Sequence, residues 1–165
     1  MIEDINAQNH ALVDTLEFDS AQIAHSALLA LSRTSYRKAS PFALLLGIEI
    51  REANGGQCEG EMEVLTHLLN AHGIAHGGVT FAFGDHVLGF AALSALNDPR
   101  IVTQDMQIRY HGPARAGKIV CRAQTVHVGS RTITVEGKVY QEETLIASLT
   151  GTYAILSTAE TSRLK

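Results

Sequence analysis

Two cysteines among 165 residues are too few for a disulfide framework, so Cys58 and Cys121 read as reduced core residues. No run of the chain is apolar for the length that crossing a bilayer requires. With 13 basic against 17 acidic side chains the net charge is -4 and no basic stripe emerges. That balance argues against nucleic acid as a partner. The opening Met1-Ile2-Glu3-Asp4 lacks the basic-then-apolar layout of a secretory signal. Neither an internal repeat nor a low-complexity linker breaks the chain. What is present is 45% hydrophobic, enough to exclude disorder and to fill one core. The expectation is a cytoplasmic, single-domain protein with no membrane or nucleic-acid partner.

The chain divides into an N-terminal helical extension over 1–41 and a main domain over 42–165. In the extension Ile23, Ala24, Ala27, Leu28 and Leu31 recur at helical spacing after an Asp19 or Ser20 cap, and Pro41 ends the element. Leu46-Gly47-Ile48-Glu49-Ile50-Arg51 then reads as a strand and Asn54-Gly55-Gly56 as a turn. Next, Cys58, Gly60, Met62 and Val64 face one way while Gln57, Glu59, Glu61 and Glu63 face the other. Such alternation marks a half-buried antiparallel strand. One long helix follows from about Ala75 to Leu96, stopped by Asn97-Asp98-Pro99. Four extended runs complete the chain: Ile101–Tyr110, Lys118–Val128, Thr132–Gln141 and Thr144–Leu156. Hairpin, apolar helix and meander have one compact solution, an α+β domain whose antiparallel sheet wraps around the helix.

That helix is apolar almost all round, which marks it as buried, yet Asp85 sits two turns inside it. A carboxylate in such surroundings is expensive unless partnered, and is more often functional than accidental. The alternative is a structural aspartate bonded to a nearby hydroxyl or backbone group. Gly77 and Gly78 stand where the helix begins, and its first N–H groups lack partners inside the helix. These donors and the positive end of the helix dipole suit a polarised carbonyl or oxyanion, while glycine permits close approach. A plain glycine turn into a helix would look the same. His72 and His76 are four apart, but Gly73 lies between them and no cysteine or carboxylate completes a set, so no metal is expected.

The order of elements, with Asn70, the loop histidines, His76-Gly77-Gly78 and Asp85, resembles the hotdog-fold acyl-CoA thioesterases. The branch that contains the phenylacetate-pathway thioesterases is the nearest in pattern. The likeness covers roughly residues 42–156 and extends to Val102-Thr103-Gln104-Asp105-Met106 followed by Tyr110-His111-Gly112-Pro113-Ala114. Two positions depart from it. His86 stands where a small residue is usual, and Gly84 replaces a common alanine; both would reshape the acyl pocket, so substrate identity does not carry over.

The resemblance implies hydrolysis of a thioester to a free acid and coenzyme A, with no cofactor, coenzyme A being part of the substrate. Such a reaction needs an activated water or nucleophile and donors for the developing oxyanion. Asp85 fits the base or nucleophile, and the Gly78 N–H, beside Gly77, fits the oxyanion donor. Asn70 and Thr103 would orient water or the thioester oxygen, though a turn asparagine and an exposed strand threonine are the plain readings. His76 would brace the glycine loop, and Phe81 and Phe83 with Val87 and Leu88 would line the acyl pocket. Arg131, in the turn Gly129-Ser130-Arg131, would meet a coenzyme A phosphate.

In the resembling family the aspartate and glycine turn of one site come from different subunits, which implies a homodimer as the smallest active unit, commonly paired into a tetramer. Aryl or arylacetyl thioesters lead as substrates, with medium-chain acyl-CoA close behind. Two other readings of the same fold stay open: a hydratase or dehydratase, for which His86 beside Asp85 speaks, and a non-catalytic acyl-CoA sensor.

Overall fold

Residues 40–96 and 100–157 are described by a computed structural model. All but the last two residues of the predicted extension, and the Asn97-Asp98-Pro99 stop, lie outside them. Ser40 opens helix α1 (Pro41–Leu46), its hydroxyl accepting from the Ala43 amide, and Gly47 closes it at φ 68. Pro41 thus starts a helix instead of ending one. At the first helical position its missing N–H removes no hydrogen bond and its fixed φ is already helical. The strand expected from Leu46 begins only at Glu49.

Strands β1 (Glu49–Asn54) and β2 (Gln57–Val64) form an antiparallel hairpin through Gly55 and Gly56. Both glycines take positive φ, as a two-residue turn between twisted strands demands. Cys58, Gly60, Met62 and Val64 are buried along β2, as the alternation predicts. A short 3-10 turn at Thr66–Leu68 leads into the long helix α2 (Gly77–Ser94). Strands β3 (Ile101–Tyr110), β4 (Gly117–Val128), β5 (Thr132–Gln141) and β6 (Thr144–Ile155) follow. The sheet order is β1-β2-β4-β5-β6-β3, antiparallel throughout, with β1 and β3 at the edges.

Helix α2 touches all six strands, so the sheet curls around it in the hotdog arrangement. Phe83, Val87, Leu88, Phe90 and Ala91 enter a core shared with Ile119, Cys121, Ile133, Val135, Val139 and Leu149. Helix and sheet approach closely where side chains are absent. A Cβ at Gly84 would overlap Leu149, one at Gly137 would overlap Leu88, and one at Gly60 would lie 2.6 Å from Val87. Gly84 therefore makes room for Leu149 in the core. Cys58 and Cys121 are both free and buried, and burial pushes the Cys121 thiol up to about 12. One side of α2 stays outside this packing: Gly78, Phe81, Ala82, Asp85, His86 and Gly89 remain partly exposed. No helix among the described residues is long and apolar enough to cross a membrane.

Candidate active site

Asp85 is half-buried on the open side of α2, and two hydroxyls from the sheet hold it. Thr103 Oγ1 donates to Asp85 Oδ1 at 2.9 Å, and the Tyr153 hydroxyl donates to the Asp85 main-chain oxygen at 3.1 Å. Thr103 and Tyr153 face each other across the β3–β6 pair, where the register shifts between Thr103 and Asp105 and leaves Gln104 as the extra residue. A bulge re-aims side chains locally and favours such positions beside functional groups. Tyr153 is 2% exposed, and its burial raises the hydroxyl pKa, so it remains a donor. Sequence reasoning found Thr103 but missed Tyr153, whose one signal is its place on the inward face of β6.

The start of α2 is capped by His76 at φ -58 and ψ 135, with Nδ1 accepting the Gly78 N–H at 3.1 Å. An accepting Nδ1 places the proton of the neutral ring on Nε2. The Val79 N–H reaches the His76 oxygen at 2.9 Å. The amide expected to receive an oxyanion, that of Gly78, is therefore already engaged. The Gly77 N–H, by contrast, finds no acceptor among the described residues. The geometry moves the available donor one residue back. Gly77 is fixed from its other side: the Tyr110 hydroxyl donates to the Gly77 oxygen at 2.7 Å. Burial raises the Tyr110 pKa, which keeps that hydroxyl protonated.

Asn70 serves its own turn. Its Oδ1 accepts the His72 N–H at 2.8 Å, and its main-chain oxygen accepts from Gly73 at 3.0 Å. The side-chain NH2 is left for other acceptors. A cavity of about 430 Å³ opens here, lined by Asn70, Gly77, Thr80, Tyr110, His111 and Ile146 among others. A larger concavity of about 700 Å³ lies among the charged side chains of the sheet, including Glu59, Arg122, Glu136 and Lys138, and contains none of the groups above.

Other expected site residues scatter. Phe83, Val87 and Leu88 are 0% exposed core residues and line neither of these two cavities. Phe81, 36% exposed, alone faces outward from that set. Arg131 is exposed in the β4–β5 turn, far along the sheet from α2's first turn, with its main-chain oxygen held by the Ile155 N–H at 2.9 Å. His86 packs its ring against Phe90 with centroids 5.1 Å apart, and burial lowers its pKa to about 4.

Gly77 and Asp85 are separated by eight residues, about 12 Å along one helix at 1.5 Å per residue. A carbonyl held at the Gly77 amide lies out of reach of the carboxylate on the same chain, since base and acceptor must both stand within about 3 Å of the reacting atoms. Within one chain, therefore, the Gly77 amide and the Asp85 carboxylate do not meet at one reacting group.

Comparison with known proteins gives a consistent picture. Residues 72–148 match a family model described as Thioesterase superfamily. A Deinococcus radiodurans protein provisionally named an esterase is 32% identical over 124 residues, covering 73% of this chain and 83% of its own. The 1,4-dihydroxy-2-naphthoyl-CoA hydrolase of Listeria monocytogenes is 26% identical over 98 residues, 59% of this chain and 80% of that protein. A mutant of phenylacetic acid degradation protein PaaI from Thermus thermophilus superposes with a TM-score of 0.67 at 30% identity, over 71% of this chain and 100% of its own.

Proposed function

This chain belongs to the thioesterase superfamily and is a thioester hydrolase acting on acyl-CoA, and from that premise we propose how its two half-sites combine. The observation that carries the proposal is their anchoring. Asp85 is tied through Thr103 to the beginning of β3, and Gly77 is tied through Tyr110 to its end. β3 is an edge strand of ten residues, mostly exposed. A long exposed edge is a template for pairing with another strand. Antiparallel pairing of β3 with the same strand of a second copy, centred between Met106 and Gln107, sets Thr103 of one chain against the partner's Tyr110. Asp85 of one protomer then faces the partner's Gly77, and two equivalent sites form per dimer. The open stripe of α2 around Phe81 and Ala82 lies beside this junction and supports the same interface.

In such a site the Gly77 N–H and the α2 dipole polarise the thioester carbonyl, aided by the Asn70 side-chain NH2. Asp85 takes a proton from water as that water's oxygen bonds to the acyl carbon, or attacks the carbon itself to give an anhydride that water then opens. The C–S bond breaks, and the sulfur leaves to be protonated as coenzyme A. Thr103 and Tyr153 hold the carboxylate and its peptide in place, and His76 fixes the glycine turn. Arg131, on the exposed β4–β5 turn, is assigned to a phosphate of coenzyme A.

Aryl and arylacetyl thioesters lead as substrates, supported by relatives named for 1,4-dihydroxy-2-naphthoyl-CoA hydrolysis and phenylacetic acid degradation; medium-chain acyl-CoA comes second. The test is thiol release over a panel of acyl-CoAs by wild type and Asp85→Asn. Asparagine keeps the shape and removes the base, so a folded, dimeric variant is expected to lose about a hundredfold or more in kcat. Undiminished thiol release by Asp85→Asn moves the chemistry away from this residue. Tight acyl-CoA binding by the wild type with no release at all points to a sensor.

A further inference from the structure

Among the described residues, ion pairs join Arg51 to Glu49 and Glu61, Lys118 to Glu61, and Arg122 to Glu59, all on β1, β2 and β4. At the other side of the sheet β3 carries two opposite charges, Asp105 and Arg109, both exposed. Neither side chain has a partner among the described residues. Met106 and Ile108 pack against the core, so by the alternation of a strand Asp105, Gln107 and Arg109 share the outer face of the sheet. Arg109 accordingly lines the concavity on that face. The neighbouring strand leaves both charges uncompensated, since Asp105 stands against Thr152 and Arg109 against Ser148. Beyond Ser148 comes Lys138, a second cation on the Arg109 side. What remains to both is the free edge of β3.

Charges on an exposed edge ordinarily keep other strands away. Here the two signs are placed so that an antiparallel copy of the same strand answers them. Gln104 is the extra residue of the bulge, so with Thr103 against the partner's Tyr110 the next pair is Asp105 with the partner's Arg109. Met106 then meets the partner's Ile108, and Gln107 meets the partner's Gln107, whose amide both donates and accepts. Side chains directly opposite one another stand about 4.5–5.5 Å apart at Cβ, close enough for an ion pair. A slip of two residues sets one of the charges against the partner's Gln107 and forms neither pair. A slip of one turns Met106 and Ile108 to the wrong face. Parallel pairing sets Asp105 against the partner's Asp105 and Arg109 against the partner's Arg109, which repel.

Resting on the reading that β3 pairs with β3 of a second copy, we infer that Asp105 and Arg109 choose that partner through two intersubunit ion pairs on the outer face of the sheet. They admit a second copy of this chain, antiparallel, in the register that sets Asp85 against the partner's Gly77, and they repel the other arrangements. Neither touches substrate; both are positioning residues that act from the face of the sheet opposite α2. The pairs are partly exposed, so the assembly weakens as ionic strength rises.

The test is charge reversal in two full-length chains. Asp105→Arg leaves only positive charge on this face of β3 and Arg109→Asp only negative, so each chain repels its own copy and attracts the other. Each dimer of a single variant exchanges two attractive contacts for two repulsive ones, and sedimentation at low salt is expected to show a Kd about thirtyfold weaker than wild type. An equal mixture of the two chains is expected to regain the wild-type Kd, as is the double variant Asp105→Arg/Arg109→Asp, which restores opposite signs. In about 1 M NaCl the differences are expected to close. Thiol release from benzoyl-CoA, measured on the same samples at a concentration where only the single variants dissociate, is expected to fall in each and return in the mixture. Single variants that dimerise like the wild type, or a weakened Kd that neither the mixture nor the double variant regains, overturn the ion pairs whatever the activity does. Dissociation and recovery as expected, with thiol release unchanged throughout, leave the ion pairs standing and overturn the shared active site.

Discussion

His86 follows Asp85 on the open side of α2, and its burial has a direct consequence for stability. Desolvation lowers its folded pKa to about 4 from an ordinary 6.5. Between those values the unfolded chain binds a proton that the folded chain does not, so stability is complete above pH 6.5 and declines as pH falls toward 4. A gap of that size corresponds to about 3 kcal/mol. Urea midpoints measured from pH 7 to pH 4 are expected to fall, and His86→Phe is expected to flatten that stretch of the curve. An unchanged slope in the variant assigns the acid sensitivity to the carboxylates. A second residue-scale prediction concerns Arg131. Arg131→Ala is expected to raise KM for acyl-CoA severalfold with kcat unchanged, and an unchanged KM removes it from the binding site. At this scale Asp85, Asn70 and the glycine turn were legible, because a charge in an apolar helix and a glycine pair at its start are local signals. Tyr153 and Tyr110 were not. Their roles arise from contacts across 68 and 33 residues of chain, the Tyr153–Asp85 and Tyr110–Gly77 bonds. Gly78 was expected to present a free N–H, and the structure shows that N–H engaged by His76 Nδ1. That a cap from His76 would engage its N–H and free the one before it is a matter of side-chain geometry, which the spacing of a motif does not contain.

Helix α2 and the sheet meet through glycines that leave space for leucines, and the Gly84–Leu149 contact is the tightest test of that arrangement. Alanine in a helix interior gains about 1 kcal/mol over glycine, whereas an extra methyl in a close-packed core loses about 1–3 kcal/mol. Leu149 is 3% exposed and has little room to turn aside, so the loss prevails. Gly84→Ala is expected to be destabilised by about 1–2 kcal/mol in urea denaturation, and in a double-mutant cycle Leu149→Ala is expected to cost less in its presence. A Gly84→Ala variant more stable than wild type contradicts the packing account. Strands β2 to β6 were legible almost to the residue, since β2 alternates at period two and β3 to β6 are separated by recognisable turns, whereas β1 was expected three residues too early. The exception is instructive. Pro41 was taken as a terminator because proline breaks helix interiors, yet the same ring is favourable at a first helical turn, and Ser40 one residue earlier was the signal that decides between them.

At the scale of the whole molecule, Gly77 and Asp85 stand about 12 Å apart on one helix with tethers to opposite ends of β3, and the proposed shared site makes a prediction that no single-chain site shares. Gly77→Pro removes one N–H at a helical position that tolerates proline, and His76 at ψ 135 already has the backbone a following proline requires. Gly77→Pro and Asp85→Asn are each expected to form inactive dimers. Mixed after unfolding and refolding together in equal amounts, they re-associate at random, and half of the dimers contain one chain of each kind. In those, one site joins both defects and stays silent, while the other takes its intact Gly77 from the Asp85→Asn chain and its intact Asp85 from the Gly77→Pro chain. Activity is expected to return to about a quarter of the wild-type value per subunit, as two-fold symmetry requires. Two inactive chains that remain inactive when co-refolded, with mixed dimers demonstrated by a tag on one of them, would place the carboxylate and the amide in separate roles and end the shared-site mechanism.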